Sequence, residues 1–381
     1  MTQRARSAQR STHSESSPQL PHGVQLKGVI LAAGLGTRLR PLTELYPKPL
    51  VQVGGRPLIE WGLISLMEAG VDEVGINTHY RGDQLHAHFS ELRCAELARA
   101  VNPERSPLKL SWSPEEELLG TGGGVRALWE VLFGTDSLGS SPSAPSATCS
   151  ERSPAVLCLN GDALFDFSLK PLISAHVAGG GAVSTLALRE VAPGDPFGRV
   201  GVDAEGRVVR IAEVEGPRAH EEVKVGAFTG AQVIGEETAK LLSPVFSDTF
   251  RTAHRELLSR DIEIRAHFVE SQSLWVDIGN LERYLGAHRA LLERPESPLW
   301  RYVPAHRRQG ESVIFEGAEL SEGVSLGENV WVGAGATLSV EGELELSESV
   351  IWDDSSAVFE AHAPQTQSQR AGRVITPDLQ L

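Results

Sequence analysis

The sequence predicts an α/β protein: a doubly wound, mostly parallel sheet followed by a short parallel β-helix. Three observations carry that expectation. Near the start, Gly28-Val29-Ile30-Leu31 is a branched apolar run that breaks into Ala32-Ala33-Gly34-Leu35-Gly36-Thr37, the pattern of a buried strand ending in a small-residue loop. Further apolar runs then alternate with segments of helical period, the order that builds a parallel sheet covered on both faces. Towards the end, Ile314, Leu320, Leu326, Val332, Leu338, Leu344 and Val350 recur at strict six-residue spacing, the mark of a coil built from short repeated sides.

The opening loop has the chemistry of an anion site. Glycine lets backbone N–H groups turn outward without Cβ obstruction, so a strand ending in such a loop offers a concave set of donors. Arg38 adds a planar fork suited to phosphate. Lys48 follows between Pro47 and Pro49, which stiffen its backbone. Loop and two cations together suit a nucleoside triphosphate. Two common glycine-loop patterns are incomplete here: the dinucleotide fingerprint lacks its third glycine, since Gly34-Leu35-Gly36 runs on to Leu39, and the NTPase phosphate loop lacks Gly-Lys-Ser/Thr.

Composition bounds the partners. The 381 residues are enough for two domains and carry a net charge of −15, which argues against nucleic acid or an anionic membrane surface. A small phosphorylated substrate needs only a local basic pocket. No stretch approaches ~18 continuous apolar residues, so no membrane span is expected. Three cysteines, Cys94, Cys149 and Cys158, are few and odd in number, which suits reduced thiols in a cytoplasm, with Cys158 packing in an apolar run. Residues 1–24, rich in Ser, Gln and Arg and without an apolar block, read as a disordered leader.

After the opening loop, Arg56 to Gly70 carries Leu58, Ile59, Leu63, Leu66 and Met67 at helical spacing. Val71 to Asn77 reads as the next strand and Tyr80 to Leu92 as a helix. Ligands of such sheets bind beyond the carboxyl ends of the strands, where the opening loop sits. A second glycine-rich block, Gly120-Thr121-Gly122-Gly123-Gly124, lies between the acidic run around Glu115 and a helix expected over Val125 to Leu132. Backbone approaches a ligand most closely at glycine, and a helix start offers free N–H groups.

Residues 135–154 are Ser/Pro-rich and read as a disordered surface insertion. The sheet resumes at Ala155 to Asn160 and ends in Gly161-Asp162, a carboxylate well placed for a cation at the sheet's carboxyl edge. Asp166 lies close by and reads as a turn residue. Residues 182–189 and 207–213 read as strands. In Leu274-Trp275-Val276-Asp277, an aspartate in an apolar strand end costs desolvation energy unless something cationic compensates it, and a divalent metal shared with Asp162 would do so.

A helix from Leu281 to Leu292 closes a domain spanning 25–294, and residues 295–310 read as a linker. In the repeat, 311–358, a second set of Ala318, Val324, Val330, Ala336 and Gly342 follows the first set four residues behind. The pattern looks like a left-handed parallel β-helix of the hexapeptide kind, of about two coils. So short a solenoid must pack on the first domain or on a second copy of the chain, making a homo-oligomer through the β-helix one expectation. No histidine occurs between Gly310 and Ala361, which removes the usual general base of repeat-built acyltransferases. Residues 359–381 read as a loose tail.

Leu31-Ala32-Ala33-Gly34-Leu35-Gly36-Thr37-Arg38-Leu39, with Pro47-Lys48-Pro49-Leu50, closely resembles the signature of the sugar-1-phosphate nucleotidyltransferases. Leu119-Gly120-Thr121-Gly122-Gly123, Asn160-Gly161-Asp162 and Trp275-Val276-Asp277-Ile278-Gly279 resemble further motifs of that family. The resemblance implies its Rossmann-like nucleotide-diphospho-sugar transferase sheet, an NTP and a sugar 1-phosphate as substrates, and Mg²⁺ as cofactor. It implies roles residue by residue: Arg38 and Lys48 catalytic; Leu31, Ala32, Ala33, Gly34, Gly36 and Thr37 at the nucleotide, with Glu115, Gly120, Thr121 and Gly122 around its base; Asp162 and Asp277 on the metal; Gly198, Glu213 and Gly230 at the sugar. The family's Glu-Lys-Pro is here Glu213-Val214-Glu215, so the glutamate matches and the Lys-Pro does not, which hints at an unusual sugar end. Lys224 falls near another family contact, as a phosphate ligand or a solvated lysine.

For the nucleotide, the long C-terminal repeat favours the GDP-mannose pyrophosphorylase branch, and a carboxylate at Glu115 suits the N–H donors of guanine. GTP and mannose 1-phosphate are the expected pair. UTP with an amino-sugar 1-phosphate is the alternative. A non-catalytic subunit that only binds sugar nucleotides would be expected to have lost Lys48, Asp162 or Asp277, and all three stand.

Overall fold

A computed structural model describes residues 24–138, 153–180, 183–191, 194–360 and 373–380. The expected leader lies outside them except for Val24, and the expected 135–154 insertion is described only at its edges, where Thr135–Leu138 forms a 3-10 turn and Ser153 opens a strand.

Val29 and Ile30 show why the opening run is a central strand. Val29 packs with Val125, Leu128 and Trp129 on one face of the sheet, and Ile30 with Leu58, Leu63 and Ile64 on the other. A strand buried on both faces has no need of polar alternation. The strand Val24–Leu31 pairs in parallel with Glu73–Thr78 on one side and Ser153–Asn160 on the other, and Lys109–Pro114 forms the parallel edge. The chain thus leaves Val24–Leu31 in one direction and returns on its other side, which opens a crevice beyond the carboxyl ends of Val24–Leu31 and Ser153–Asn160.

The sheet is mixed, with ten strands, so the mostly parallel expectation holds for only one half. Lys224–Gly235 runs antiparallel to Ser153–Asn160, Ser184–Glu190 and Arg199–Val202. Between Arg199 and Glu215 the strands are joined by short turns with no crossover helix, and short connections make antiparallel neighbours. The helix expected over Tyr80 to Leu92 is two helices, Gly82–His88 and Glu91–Val101. Phe89 closes the first and Ser90 caps the second, its Oγ accepting from the Arg93 N–H at 3.2 Å. The helix expected from Val125 begins earlier and spans Gly120–Phe133. Leu281–Leu292 is helical as expected, with Asn280 Oδ1 accepting from the Arg283 N–H at 2.9 Å.

The C-terminal residues wind into three parallel ladders. One joins Ser312–Phe315, Val330–Val332, Ser349–Ile351 and Val374–Thr376; a second joins Glu319–Leu320, Thr337–Glu341 and Ser356–Glu360; a third joins Val324–Leu326 and Leu344–Leu346. Val313 pairs with Trp331 and Leu320 with Leu338, three hexads on, as the period requires. After Leu338 the register slips at Gly342: Leu326 faces Leu346, and Val332 faces Ile351. Ile351 therefore fills the coil interior, while Val350, the seventh position of the sequence repeat, packs into the core shared with the first domain.

Two further expectations change. The expected linker, residues 295–310, contains a 3-10 turn, Pro298–Arg301, and a strand, His306–Gln309, antiparallel to Ser312–Phe315. The tail, expected to be loose, returns at Val374–Thr376 to extend the first ladder and folds back as Leu379–Gln380. The buried pair Val374 and Ile375 is what holds it there.

The coil packs on its own chain. Val313, Phe315, Trp331, Val350, Trp352 and Val374 share one core with Leu58, Trp61, Tyr284 and Leu291. Cys94 and Cys158 are free and buried, and burial pushes the Cys158 thiol up to about 12, which leaves it an inert packing group. Cys149 lies outside the described residues. Among the described residues no helix is long and apolar enough to cross a membrane.

Candidate active site

Two adjoining cavities fill the crevice, and both reach Asn160 and Asp162. The first, of about 390 Å³, is lined by Leu31, Ala32, Ala33, Gly34, Gly36, Thr37, Arg38, Lys48, Glu115, Gly120 and Thr121. The sequence spreads these over ninety residues; the fold brings them to one rim. Gly122 lies just below that rim, buried in the first turn of its helix.

Asn77, which the sequence reading placed only as the end of a strand, ties the two glycine loops together. Its Oδ1 accepts from the Ala32 N–H at 2.7 Å, and its Nδ2 donates to Glu115 Oε1 at 2.7 Å. Glu115 Oε2 in turn accepts from the Leu119 N–H at 2.9 Å. Both Asn77 bonds are buried and the Leu119 bond is part-buried, so together they fix the backbone of the two loops. Glu115 is thus a structural anchor as well as part of the lining, and both of its oxygens are already engaged.

The second glycine loop is held from outside. The Gly122 N–H donates to the Ser247 carbonyl and the Ser247 N–H to the Leu119 carbonyl, both at 2.9 Å, and the Thr249 N–H donates to Thr121 Oγ1 at 3.0 Å. Gly120 has φ +70°, and a Cβ there would lie 2.5 Å from the Ser247 oxygen, so only glycine admits this approach. The segment Ser243–Thr249 also puts Phe246, 73% exposed, on the cavity wall. Nothing in its sequence, which lacks any period, marks it as part of a site.

Lys48 is 9% exposed, and its Nζ lies 2.8 Å from Asp162 Oδ2. Asp162 and Asp277 are brought side by side by the short antiparallel pair Ala163–Phe165 and Trp275–Asp277, with Asp277 opposite Ala163 and the Ile278 N–H donating to the Asp162 carbonyl at 2.9 Å. Asp277 Oδ2 accepts from Arg283 at 2.6 Å. The cationic compensation expected for both aspartates is therefore present in the protein itself. Arg38 is exposed on the same rim; a methyl on Gly279 would fall 3.1 Å from its Nη2 and 2.8 Å from Asp277 Oδ2. Among the described residues no three His, Cys, Asp or Glu side chains form a metal-binding group. Two hard carboxylate oxygen donors on one wall fit a divalent cation that draws its other ligands from phosphate and water.

The second cavity, about 570 Å³, takes in Gly198, Glu213 and Gly230, together with Asp162 and Asp277. Much of its wall is apolar: Phe197, Val200, Ile211, Val214, Phe228, Phe250 and Trp275. Arg199, Arg251 and Arg255 supply positive charge that the sequence reading did not anticipate. Trp275 is fixed by its Nε1–H, which donates to the Thr229 carbonyl at 2.7 Å, and by Arg189 over its ring at 4.5 Å. Lys224 lies in neither lining; it sits over Phe268 at 3.8 Å and beside Glu190. Asp166 is structural, accepting from the Leu274 N–H at 2.7 Å and from Ser297 Oγ at 2.9 Å.

A family model described as nucleotidyl transferase matches residues 27–294, well over half of the chain. A probable mannose-1-phosphate guanylyltransferase 2 of Arabidopsis thaliana is 28% identical over 315 residues, covering 80% of this chain and 76% of that one. The mannose-1-phosphate guanylyltransferase of Mycobacterium tuberculosis is 27% identical over 320 residues, covering 82% and 77%. Among solved structures, a UDP-glucose pyrophosphorylase complexed with UDP-glucose superposes with a TM-score of 0.54 at 20% identity, over 71% of this chain and 100% of that one, a likeness of fold. The chain belongs to the nucleotidyl transferase family, as an enzyme of its sugar-1-phosphate branch.

Proposed function

We propose that the protein makes an NDP-sugar and pyrophosphate from an NTP and a sugar 1-phosphate, with GTP and mannose 1-phosphate as the first pair to test. The observation that carries this reading is the meeting of two cavities at Asp162, with Lys48 beside it. An NTP in the first cavity and a sugar 1-phosphate in the second would bring their phosphates together there. A sugar-phosphate oxygen attacks the α-phosphorus, a new P–O bond forms, the α–β anhydride bond breaks, and pyrophosphate leaves with the electron pair. The attacking phosphate is already ionised, so no general base is needed.

The protein's work is positioning and charge neutralisation. Arg38 holds the β- and γ-phosphates and Lys48 neutralises the transferring phosphate. The Ala32–Asn77–Glu115–Leu119 chain of hydrogen bonds keeps the two glycine loops at a fixed separation around the nucleoside. Enzymes of this family use a divalent metal; Asp162 and Asp277 would hold it here, as Mg²⁺. When bound it supplies positive charge at the phosphates. Gly198, Glu213 and Gly230 face the sugar. Both substrates are at hand in a cytoplasm. A second copy of the chain, joined through the β-helix, is a further partner that light scattering tests.

The relatives' names support guanylyl transfer to mannose 1-phosphate. A second reading has its own support: the largely apolar, arginine-bearing second cavity and the missing Lys-Pro favour UTP with an amino-sugar 1-phosphate, whose acyl group would contact the aromatic wall. Pyrophosphate release from the four NTPs against a panel of sugar 1-phosphates decides between them. The largest kcat/KM with GTP and mannose 1-phosphate supports the first, and with UTP and an N-acylated sugar the second. No release from any pair overturns both.

A further inference from the structure

Lys48 stands in a short segment held at both ends by the β-helix. On one side, the Tyr46 ring lies 4.8 Å from the Trp352 ring, and its hydroxyl donates to Asp378 Oδ2 at 2.6 Å. On the other, Gln52 and Asp353 exchange two hydrogen bonds of 3.4 Å, and the Gly54-Gly55 turn meets the coil directly. A Cβ on Gly55 would lie 2.5 Å from Phe315. Trp352 also reaches the second arm of the site. Its Nε1–H donates to the Tyr284 hydroxyl at 2.8 Å, in the buried interior. Tyr284 is on the helix Leu281–Leu292, which begins directly after Asp277 and carries Arg283, that aspartate's ion-pair partner.

One indole therefore touches both the segment that carries Lys48 and the helix that follows Asp277. We propose that Trp352, with Tyr46 and Asp378, is a positioning group for the reaction: the β-helix braces Lys48 against the Asp162 and Asp277 pair. The proposal rests on Lys48 serving the reaction as described above. It gives the coil a part in turnover beyond the packing expected of it. A buried Trp N–H pays its desolvation cost only when it finds an acceptor, and a displacement of about 1 Å at a charge-neutralising group costs up to ~100-fold in rate. The brace acts through Lys48 and touches no substrate, so its loss should appear in kcat while KM stays in place.

The test uses the full-length chain carrying Tyr46→Phe, Trp352→Phe, Asp378→Ala or Asp378→Asn, assayed well below the melting temperature. Tyr46→Phe, Trp352→Phe and Asp378→Ala should each lower kcat roughly 3- to 10-fold, with KM for both substrates within about 2-fold of the parent. Asp378→Asn keeps an acceptor for the Tyr46 hydroxyl and should restore most of the loss. Hydrogen exchange of peptides spanning residues 42–53 should quicken in the three weakened variants. Val340→Ala, at a half-buried residue packed against the coil core and on a different ladder from Trp352, should lower the melting temperature and leave kcat alone. If Trp352→Phe does not fold, Tyr46→Phe decides, since it removes a single oxygen. Unchanged kcat in Tyr46→Phe and Asp378→Ala, or an equal fall with Val340→Ala, overturns the brace while leaving the proposed reaction intact. Full turnover in Lys48→Ala overturns both.

Discussion

The Nζ of Lys48 lies 2.8 Å from Asp162 Oδ2, at the point where the two cavities of the crevice meet. A buried ammonium beside a carboxylate, at the mouth of the cavity proposed for the triphosphate, is ready to exchange that partner for a more highly charged phosphate. Its charge is needed most when negative charge builds at the transferring phosphorus. Lys48→Ala should therefore lower kcat by on the order of 10²- to 10³-fold while raising KM for the NTP much less. Asp162 is one-third exposed on its side chain, so losing the pair should cost at most about 1 kcal/mol of stability. Steady-state pyrophosphate release and a urea titration measure the two effects. A change confined to KM would make Lys48 a ground-state binder.

Asp162 and Asp277 arrive side by side because their strands pair, with Asp277 opposite Ala163. Neither can be replaced by a neighbour without shifting that pairing. Asp162→Asn and Asp277→Asn should each cut turnover by at least ~100-fold and raise the Mg²⁺ concentration needed for half-maximal rate. Chelation of divalent ions from the parent enzyme should abolish turnover, and added Mg²⁺ should restore it. Near-normal turnover at ordinary Mg²⁺ in either folded variant would remove that aspartate from the metal site.

The contiguous parts of this site could be read from the sequence, and the parts that come from elsewhere could not. Asp162 follows an apolar run through Asn160-Gly161, Asp277 ends the apolar run Leu274-Trp275-Val276, and Lys48 stands between two prolines, so residue type and local context point to each of them. Asn77 lies one residue before the end of its strand, but its tie to Glu115 depends on which strands are neighbours. Phe246 comes from a stretch with no period that Ser247 ties to the second glycine loop through backbone bonds, and Arg251 and Arg255 come from the helical turns that follow it. In the coil, strict spacing identified the inward residues as far as Leu344. Beyond it, the extra length at Gly342 turns Val350 out of the coil interior and into the core shared with the first domain, a slip that only the pairing partners reveal. The apolar pair Val374-Ile375 was the visible sign that the tail returns to the coil.

Removal of the coil tests how far the two parts depend on each other. Trp331, Phe315 and Trp352 share a core with Trp61, Tyr284 and Leu291, so a chain ending at Gly310 would leave large aromatic surfaces in water. Burial of a single such side chain contributes about 2–3 kcal/mol, and several lost together exceed the stability of an ordinary domain. The truncated chain should aggregate on expression, and any soluble fraction should bind a hydrophobic dye and melt at a lower temperature. A soluble, cooperatively melting product with the parent's mass in light scattering would show that the first domain stands alone.

His288 gives the contact between these parts a dependence on pH. Its Nε2 accepts from the Gly54 N–H at 3.2 Å and its Nδ1 lies 3.0 Å from the Tyr284 carbonyl. With a backbone donor on one nitrogen and a carbonyl on the other, the ring must be neutral, with the proton on Nδ1. Burial lowers its pKa to about 4 from the ordinary 6.5 despite the opposing Tyr284 carbonyl, and burial likewise lowers His176 to about 4 and His254 to about 3. The unfolded chain takes up these protons below pH 6.5 and the folded chain does not. The stability they contribute is full above pH 6.5 and falls as pH drops towards 4, by several kcal/mol in total, an order-of-magnitude sum. The urea midpoint should decline steadily over that window, and His288→Gln should start lower at pH 7.5 and decline less steeply. An unaltered slope in the variant would mean that His288 is already protonated in the native chain.

The second cavity, as the proposed site of the sugar, bears on which sugar phosphate reacts. Trp275 presents its ring to this space with its N–H already spent on the Thr229 carbonyl, so it offers a ligand a flat apolar face and no donor. Arg251 also lines the cavity, from a stretch that follows directly on the segment bonded to the second glycine loop. Removing the face should weaken the sugar phosphate through lost contact, and removing the guanidinium through lost charge. Trp275→Ala and Arg251→Ala should therefore raise KM for the sugar 1-phosphate about 10- to 100-fold, equivalent to ~1.4–2.8 kcal/mol of binding each, and leave KM for the NTP within about 2-fold. The two variants separate the readings of the sugar. If the substrate carries an apolar acyl group, Trp275→Ala should penalise the N-acylated sugar phosphate more than the plain hexose phosphate, whereas Arg251→Ala should penalise both alike. An equal loss for both sugars in Trp275→Ala would mean that the ring contacts only the hexose itself, and an NTP-specific loss in either variant would move that residue out of the sugar cavity.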